Sequence, residues 1–388
     1  MKPLALYLHV PFCRSKCAYC DFASYPGRED RMEDYVDALL GELRSWREAL
    51  AEHEVRTVFI GGGTPSLLSG ESLSRIMDGV RACARVAADA EITMEANPGT
   101  LDGKKLRDCR AAGINRLSLG AQSFDDGLLR ALGRIHTARD VAGAVDMARD
   151  AGFDNLSLDL MYALPGQTMV QWIDTLERAV RLEPEHLSAY SLIVEEGTPL
   201  FDRVARGETR VPDDDAAIGF QRAALERLED AGYRRYEISN FARPGFECRH
   251  NIVYWMRGEY LGVGCAAHSL MHGERFANPR GLDEYLSGAR RTESVRLTRE
   301  DAMEETLMLS TRMTRGMNLA DYRRAFGVDF ERRHGKALER LTGLKLVQLE
   351  DGFLRLTSTG MELQNAVIVE LMEDEPEQAP HAKAQPRR

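Results

Sequence analysis

Short apolar runs, each followed by a stretch whose apolar residues recur at helical spacing, alternate along the amino-terminal part of the chain. No other feature limits the fold so tightly. The runs are residues 4–10, 55–60, 92–95, 114–119, 156–160 and 186–192. Runs of this kind, bounded by glycine or proline, read as buried strands. Between the first two, Val36, Leu39, Leu40, Leu43, Trp46 and Leu50 predict an amphipathic helix over residues 29–52. After the second, Leu73, Ile76, Met77, Val80, Cys83 and Ala87 share one helical face. Cys83, and Cys109 three residues after Leu106, are therefore expected in the core. A weak internal echo, Ala112-Gly113-Ile114-Asn115-Arg116-Leu117-Ser118-Leu119 against Ala151-Gly152-Phe153-Asp154-Asn155-Leu156-Ser157-Leu158, repeats one helix-capping glycine and the strand that it opens. Strands separated by helices predict an α/β fold with a parallel sheet and right-handed crossovers. Six repeats are two short of a closed eight-stranded barrel. The pattern alone is compatible with both a curved open sheet and a doubly wound one.

The loop after the first strand carries Cys13, Cys17 and Cys20, spaced C-x3-C-x2-C. Three thiolates on one short loop suit a metal centre. A closed zinc site takes four ligands, often from two C-x2-C-like pairs, and no second pair stands at such spacing here. A cubane iron-sulfur cluster bound by three cysteines keeps one iron open to a ligand from outside the protein. The chain has seven cysteines, unevenly spaced, which suits a reducing compartment better than a disulfide framework.

In a parallel barrel the chemistry gathers at the carboxyl ends of the strands. Those ends carry, in order, the cysteine loop, Gly61-Gly62-Gly63-Thr64, Glu95-Ala96-Asn97-Pro98, Gly120-Ala121-Gln122-Ser123 and Asp159-Leu160-Met161-Tyr162. Glycine, carboxylate and amide groups interrupt apolar runs at matching places, which points to one shared site. Bare glycines let backbone groups approach a ligand closely, or simply make a tight turn. Glu95 offers acceptors for a ribose or an amino group, Gln122 a donor and an acceptor, Asp159 an anion, and Arg134 a cation suited to a ligand carboxylate.

The formal charge is −10, from 51 Lys and Arg against 61 Asp and Glu, which argues against nucleic acid or an anionic membrane as the main partner. No apolar run approaches the roughly 20 residues that span a bilayer, and Met1-Lys2-Pro3-Leu4 lacks a signal-peptide pattern. A cytoplasmic protein without a membrane anchor is expected. Residues 241–296, with the polar and aromatic stretch His250-Asn251-Ile252-Val253-Tyr254-Trp255, are expected to connect two domains. Cys248, Cys265 and His268 share no recognised ligand spacing. Further on, Thr298 with Asp301 predicts a capping box, Asp351-Gly352 a hairpin turn, and Met361, Leu363, Val367, Ile368 and Leu371 a last helix. These make a small winged-helix-like module over residues 297–372. It holds 11 Lys and Arg against 12 Asp and Glu, so it offers no basic face and is expected to cap the barrel. Residues 373–388 are polar and proline-containing and are expected to be disordered.

The combined motifs carry a family resemblance. Tyr7-Leu8-His9-Val10-Pro11-Phe12 followed by Cys13-x3-Cys17-x2-Cys20 resembles the radical S-adenosylmethionine (SAM) signature, in the form of the oxygen-independent coproporphyrinogen III oxidase family. The likeness runs over residues 4–372. It implies a partial, three-quarter (β/α)6 barrel in residues 1–240, with a [4Fe-4S] cluster on Cys13, Cys17 and Cys20 whose open iron is chelated by SAM. In that family an electron from the cluster cleaves a carbon-sulfur bond, giving methionine and a 5′-deoxyadenosyl radical. Matched motif by motif, Tyr7, Tyr19, Gly62, Gly63, Thr64, Glu95, Gln122, Arg134 and Asp159 fall where the family binds SAM.

Two departures narrow the resemblance. The decarboxylating oxidases carry a further cysteine two residues after the third, where this chain has Cys20-Asp21-Phe22, and they have a longer segment before the position of Tyr7. Both features, with His250-Asn251-x2-Tyr254-Trp255, resemble the HemW-type branch, regarded as haem chaperones that deliver haem to acceptor haemoproteins, respiratory ones among them. The resemblance implies haem as cargo, with His250 the candidate haem ligand and Tyr254 and Trp255 flanking a porphyrin face. A homodimer is compatible with it. The alternative is the oxidase reaction itself, yielding protoporphyrinogen IX by radical chemistry.

Overall fold

The computed structural model describes residues 1–373, and its packing divides into two compact units. The first comprises residues 1–254 and 258–297; the second comprises residues 255–257 and those from 298 onward.

In the first unit, β1 (Lys2–Val10), β2 (His53–Gly62), β3 (Arg85–Ala96), β4 (Arg116–Gln122), β5 (Leu156–Tyr162) and β6 (His186–Ser191) lie side by side in chain order, all parallel. The main crossover helices are α1 (Met32–Ser45), α2 (Gly70–Cys83), α3 (Gly103–Ala111), α4 (Ala138–Asp150) and α5 (Met169–Arg181). A doubly wound sheet reverses its strand order at a switch point. This one does not, so crossovers of one hand put every helix on the same face, and the other face becomes the inside of a barrel.

Residues 241–296, expected as a connecting segment, belong to the same unit apart from residues 255–257, and they extend the sheet. After α6 (Asp214–Asp230), β7 (Arg234–Glu237) and β8 (Asn240–Ala242) continue it antiparallel beyond β6. Past α7 (Arg249–Trp255), β9 (Tyr260–Val263) pairs parallel with β1, followed by antiparallel β10 (His268–Met271), β11 (Glu274–Ala277) and β12 (Glu293–Arg296). The result is a 12-stranded sheet ordered β12-β11-β10-β9-β1-β2-β3-β4-β5-β6-β8-β7, an open arc rather than a closed barrel.

The helix expected over residues 29–52 is interrupted. A 3-10 turn at Glu29–Arg31 leads into α1, and a separate short helix, Arg47–Leu50, follows a break at Trp46. The Trp46 ring stacks on Phe276, 5.5 Å away.

Along β1 to β6, Leu6, Leu8, Val58, Ile60, Leu117, Leu119, Leu158 and Leu160 are fully buried in the hydrophobic core, which also takes Cys83 and Cys109. Side chains alternate across a strand, so the residues between them point into the barrel: Tyr7, Phe59, Glu95, Ser118, Asp159 and, on β6, Ser188. Closed barrels of this type fill that space with branched apolar side chains. Here it is polar.

The second unit has its own core, built from Met303, Leu307, Tyr322, Phe330, Leu338, Leu341, Leu354, Val367 and Leu371. Its first helix, α8 (Arg299–Ser310), starts at Thr298, whose side chain caps the Asp301 N–H while Asp301 answers the Thr298 N–H. After β13 (Met317–Asn318), α9 (Leu319–Phe326) and α10 (Gly335–Gly343), the hairpin β14 (Val347–Glu350) and β15 (Phe353–Leu356) turns at Asp351 and Gly352. Both turn residues have positive φ, 53° and 78°, as a two-residue hairpin turn of this kind requires. The last helix, α11 (Gln364–Glu373), begins later than its apolar spacing suggests, after a separate short helix at Ser358–Glu362. Of the tail expected to be disordered, residues 374–388 lie outside the described residues.

Candidate functional site

The cysteine loop leaves β1 through Phe12 and Cys13, which pair with Tyr25 and Pro26. Its backbone is tied down along its length. Ala18 N–H donates to the Leu132 carbonyl (3.1 Å), Leu200 N–H donates to the Ala18 carbonyl (2.8 Å), and Cys20 N–H donates to the Cys17 carbonyl (3.2 Å). His9 holds the far end: its Nε2 meets the Ala23 carbonyl at 2.9 Å, while the Tyr7 hydroxyl occupies Nδ1 at 2.9 Å. Burial lowers the His9 pKa to about 4, so the ring stays neutral and bridges strand to loop.

All three cysteines are free thiols lining one cleft at the carboxyl end of the strands. Tyr19, Gly62, Gly63, Thr64, Glu95, Gln122, Arg134 and Asp159 line the same cleft. Strand-end positions far apart in sequence thus converge. Tyr7 is the exception, lining an adjoining cavity instead.

The contacts refine several expected roles. Gly62 has φ +113°, and a Cβ there would lie 2.5 Å from the His9 ring; one on Gly63 would lie 2.5 Å from the Phe12 carbonyl oxygen. These glycines let the turn after β2 lie flat against the cysteine loop, where Gly63 N–H reaches the Val10 carbonyl (2.8 Å) and Thr64 N–H the Phe12 carbonyl (2.7 Å). Thr64 Oγ1 sits 3.4 Å from Cys13 Sγ.

Arg134 was expected to offer a cation to a ligand carboxylate. Its guanidinium donates to the Gly120 carbonyl (2.6 Å), Asn97 Oδ1 (3.1 Å) and Cys17 Sγ (3.5 Å) at the wall of the cleft. Glu95 accepts from Gly62 N–H at 3.0 Å. Burial, opposed by that bond and reinforced by Asp159, raises its pKa to about 7. Asp159 is also shifted upward by burial, against the hydroxyls of Ser188 (2.9 Å) and Ser118 (3.0 Å) that hold it. Gln122, at a positive φ of 63°, accepts from the Tyr190 hydroxyl (2.8 Å).

Sequence reasoning missed Ser118 and Tyr190, both of which line the cleft, as does Asn97 of the Glu95-Ala96-Asn97-Pro98 strand end. A signal for Ser118 was available: in Arg116-Leu117-Ser118-Leu119 every second residue is polar, marking the inward face.

His250 is 1% exposed on α7. Nδ1 shares a hydrogen bond with Thr57 Oγ1 (2.8 Å) and Nε2 with the Tyr254 hydroxyl (2.8 Å). Burial lowers its pKa to about 3. Both ring nitrogens are therefore engaged, and axial ligation of a haem iron would first require one of these bonds to open. The Tyr254 ring meets Tyr260 edge-on at 4.7 Å, and Trp255 lies under the Arg312 guanidinium at 4.4 Å.

The donor set fits a multi-iron cluster. Among the described residues, no three His, Cys, Asp or Glu side chains close on a point as a single metal ion requires, whereas the three thiols spread around a cleft. Such a loop at the end of the first strand of an open, sequentially ordered barrel defines a radical SAM protein. The Radical SAM superfamily model matches residues 7–179, and the HemN C-terminal domain model matches residues 297–363.

Curated relatives named heme chaperone HemW include that of Lactococcus lactis subsp. lactis, 35% identical over 377 residues, or 96% of this chain and 98% of the relative. That of Escherichia coli is 42% identical over 306 residues, 76% of this chain and 80% of the relative. Among solved structures, the coproporphyrinogen III oxidase HemN of Escherichia coli, a radical SAM enzyme, superposes with a TM-score of 0.83 at 25% identity, covering 96% of this chain and 90% of that one. The chain belongs to the HemW family of the radical SAM superfamily, and membership of that superfamily implies a [4Fe-4S] cluster and SAM. Among the described residues, no helix is long and apolar enough to cross a membrane.

Proposed function

We propose that this protein is a haem chaperone: it binds haem and delivers it to acceptor haemoproteins, respiratory haemoproteins among the candidates, while carrying a SAM-ligated [4Fe-4S] cluster. The observation that carries the reading is likeness over 98% of the length of a curated heme chaperone, in a chain with Phe22 where the oxidases have a fourth cysteine.

Cys13, Cys17 and Cys20 would hold the cluster, with the Arg134 guanidinium against the Cys17 sulfur. Tyr19, Gly62, Gly63, Thr64, Glu95, Gln122, Arg134 and Asp159 would hold SAM in the cleft, with Tyr7 reaching it from the adjoining cavity. When bound, the pair supplies one-electron reductive chemistry at the SAM sulfonium. The protein's own share is to orient the ligand, exclude water and keep the Glu95 and Asp159 carboxyls at the cleft floor. His250 is proposed as the haem ligand after its bond to Tyr254 opens.

The test is haem titration of anaerobically reconstituted protein, with and without cluster, followed by transfer to an apo-haemoprotein. Stoichiometric binding and transfer are expected. The second reading, oxidase activity, draws on the superposition with HemN. Anaerobic release of carbon dioxide from coproporphyrinogen III would establish it and displace the first as a complete account.

A further inference from the structure

A second cavity adjoins the cysteine-lined cleft and shares Glu95, Ser118, Asp159 and Tyr190 with it. Its deeper wall carries Arg116, the first residue of β4, whose side chain points inward by strand parity. Arg116 is 2% exposed. Among the described residues no hydrogen bond or ion pair reaches its guanidinium, and its buried Nε has no acceptor.

The two nearby carboxylates are already committed. Asp159 takes the hydroxyls of Ser118, Ser157 and Ser188, and Glu91 takes the N–H groups of Arg249 and His250. They act on Arg116 only through space. A buried guanidinium with an unmet donor carries an uncompensated desolvation cost, and retaining it makes sense where a ligand completes it. Two further buried atoms of this interior, Asn240 Oδ1 on the cavity wall and Thr93 Oγ1 opposite Arg116 in the sheet, also lack partners.

We propose that this cavity binds a small organic carboxylate, anchored by Arg116 and held directly against whatever occupies the cysteine-lined cleft. A guanidinium fork matches a carboxylate with two parallel N–H···O bonds, which favours this ligand over a neutral one. The aromatic rings of Tyr7, Phe59 and Tyr254 suit the carbon skeleton beyond it. The proposal uses the SAM reading only to say what lies next door. The carboxylate could come from a free small molecule or from a propionate of haem, and the test separates the two.

Reconstituted protein with SAM is examined by saturation-transfer NMR with propionate and glutarate, with propionamide and glutaramide as controls, and again without SAM. Transfer to the carboxylates alone is expected, falling at least tenfold in Arg116→Gln and partly recovered in Arg116→Lys. Cluster absorbance and melting temperature serve as folding controls. Because loss of a buried cation can itself unfold a protein, Ser239→Phe provides a second variant: it adds a ring to the cavity wall, leaves the guanidinium in place, and is expected to block transfer. Equal transfer in wild type and Arg116→Gln, or no carboxylate transfer at all, overturns the proposal. If small carboxylates fail while Arg116→Gln loses haem affinity, the anion is a haem propionate and the small-molecule assignment falls. Failure of SAM binding with carboxylate transfer intact would count against the SAM cleft and leave this site standing.

Discussion

Replacing Glu95 by Gln in protein purified without cluster or SAM isolates one buried ionisation. The carboxyl has a pKa of about 7 in the fold against an unperturbed 4.5. A group that holds its proton more tightly when folded adds stability that is fully present below the unfolded pKa and is lost as pH rises through the folded one. Integrated between pH 5 and pH 8, the loss is about 2.5 kcal/mol. Gln keeps an acceptor for the Gly62 N–H but cannot ionise, so the variant should not show that loss. Urea titrations followed by tryptophan fluorescence, with Trp46 and Trp172 reporting on the first unit, compare the two proteins at each pH, and contributions from other groups cancel in the difference. The variant should gain on wild type by about 2.5 kcal/mol across that range. A gap that stays constant from pH 5 to pH 8 would refute the reasoning. The same ionisation should govern ligand binding: SAM affinity of reconstituted wild type should rise with pH up to about 7 and flatten above it, and Glu95→Gln should bind weakly at every pH.

Gly63→Ala places a Cβ against the Phe12 carbonyl, so the cysteine loop must shift. Iron and sulfide content after reconstitution should fall well below one cluster per chain while far-ultraviolet circular dichroism stays near wild type. Substituting Cys13, Cys17 or Cys20 by Ala should abolish the visible absorption of the cluster, whereas Cys83→Ala and Cys109→Ala should keep it and lower stability by about 1–2 kcal/mol through lost packing. Tyr254→Phe removes the bond that occupies His250 Nε2, so haem should bind several-fold more tightly. His250→Ala should lose the Soret features of a histidine-ligated haem, and an unchanged Soret band would place the iron elsewhere.

Strand order, the cysteine loop and the convergence of glycine, carboxylate and amide groups were legible because each depends on local pattern: apolar runs, helical spacing and chemistry at strand ends. The strand at Tyr260–Val263 was not, since its partner is β1 and nothing in its own residues announces a parallel neighbour so distant in sequence. The break at Trp46 escaped notice because its ring fits the helical period, while its packing on Phe276 is tertiary. Arg134 was recognisable as a cation near the site, but its contacts with the Gly120 carbonyl and Cys17 come from separate elements and appear only in the fold. His250 was recognisable by its motif, but its engagement by Thr57 and Tyr254 depends on groups from separate elements.

That distant pairing of β9 with β1 has a consequence for the order of events during synthesis. β1 gains β2 as a neighbour early, but its other edge stays bare until Tyr260 has left the ribosome. The supports of the cysteine loop come later still: Arg280 donates to the Asp21 carbonyl (3.0 Å) and accepts from the Tyr25 hydroxyl, and Cys265 N–H closes on the Tyr35 hydroxyl that holds the His9 carbonyl. The loop is therefore fully braced only once the first unit has been translated, and a chain stalled before Tyr260 would present a bare strand edge open to aggregation.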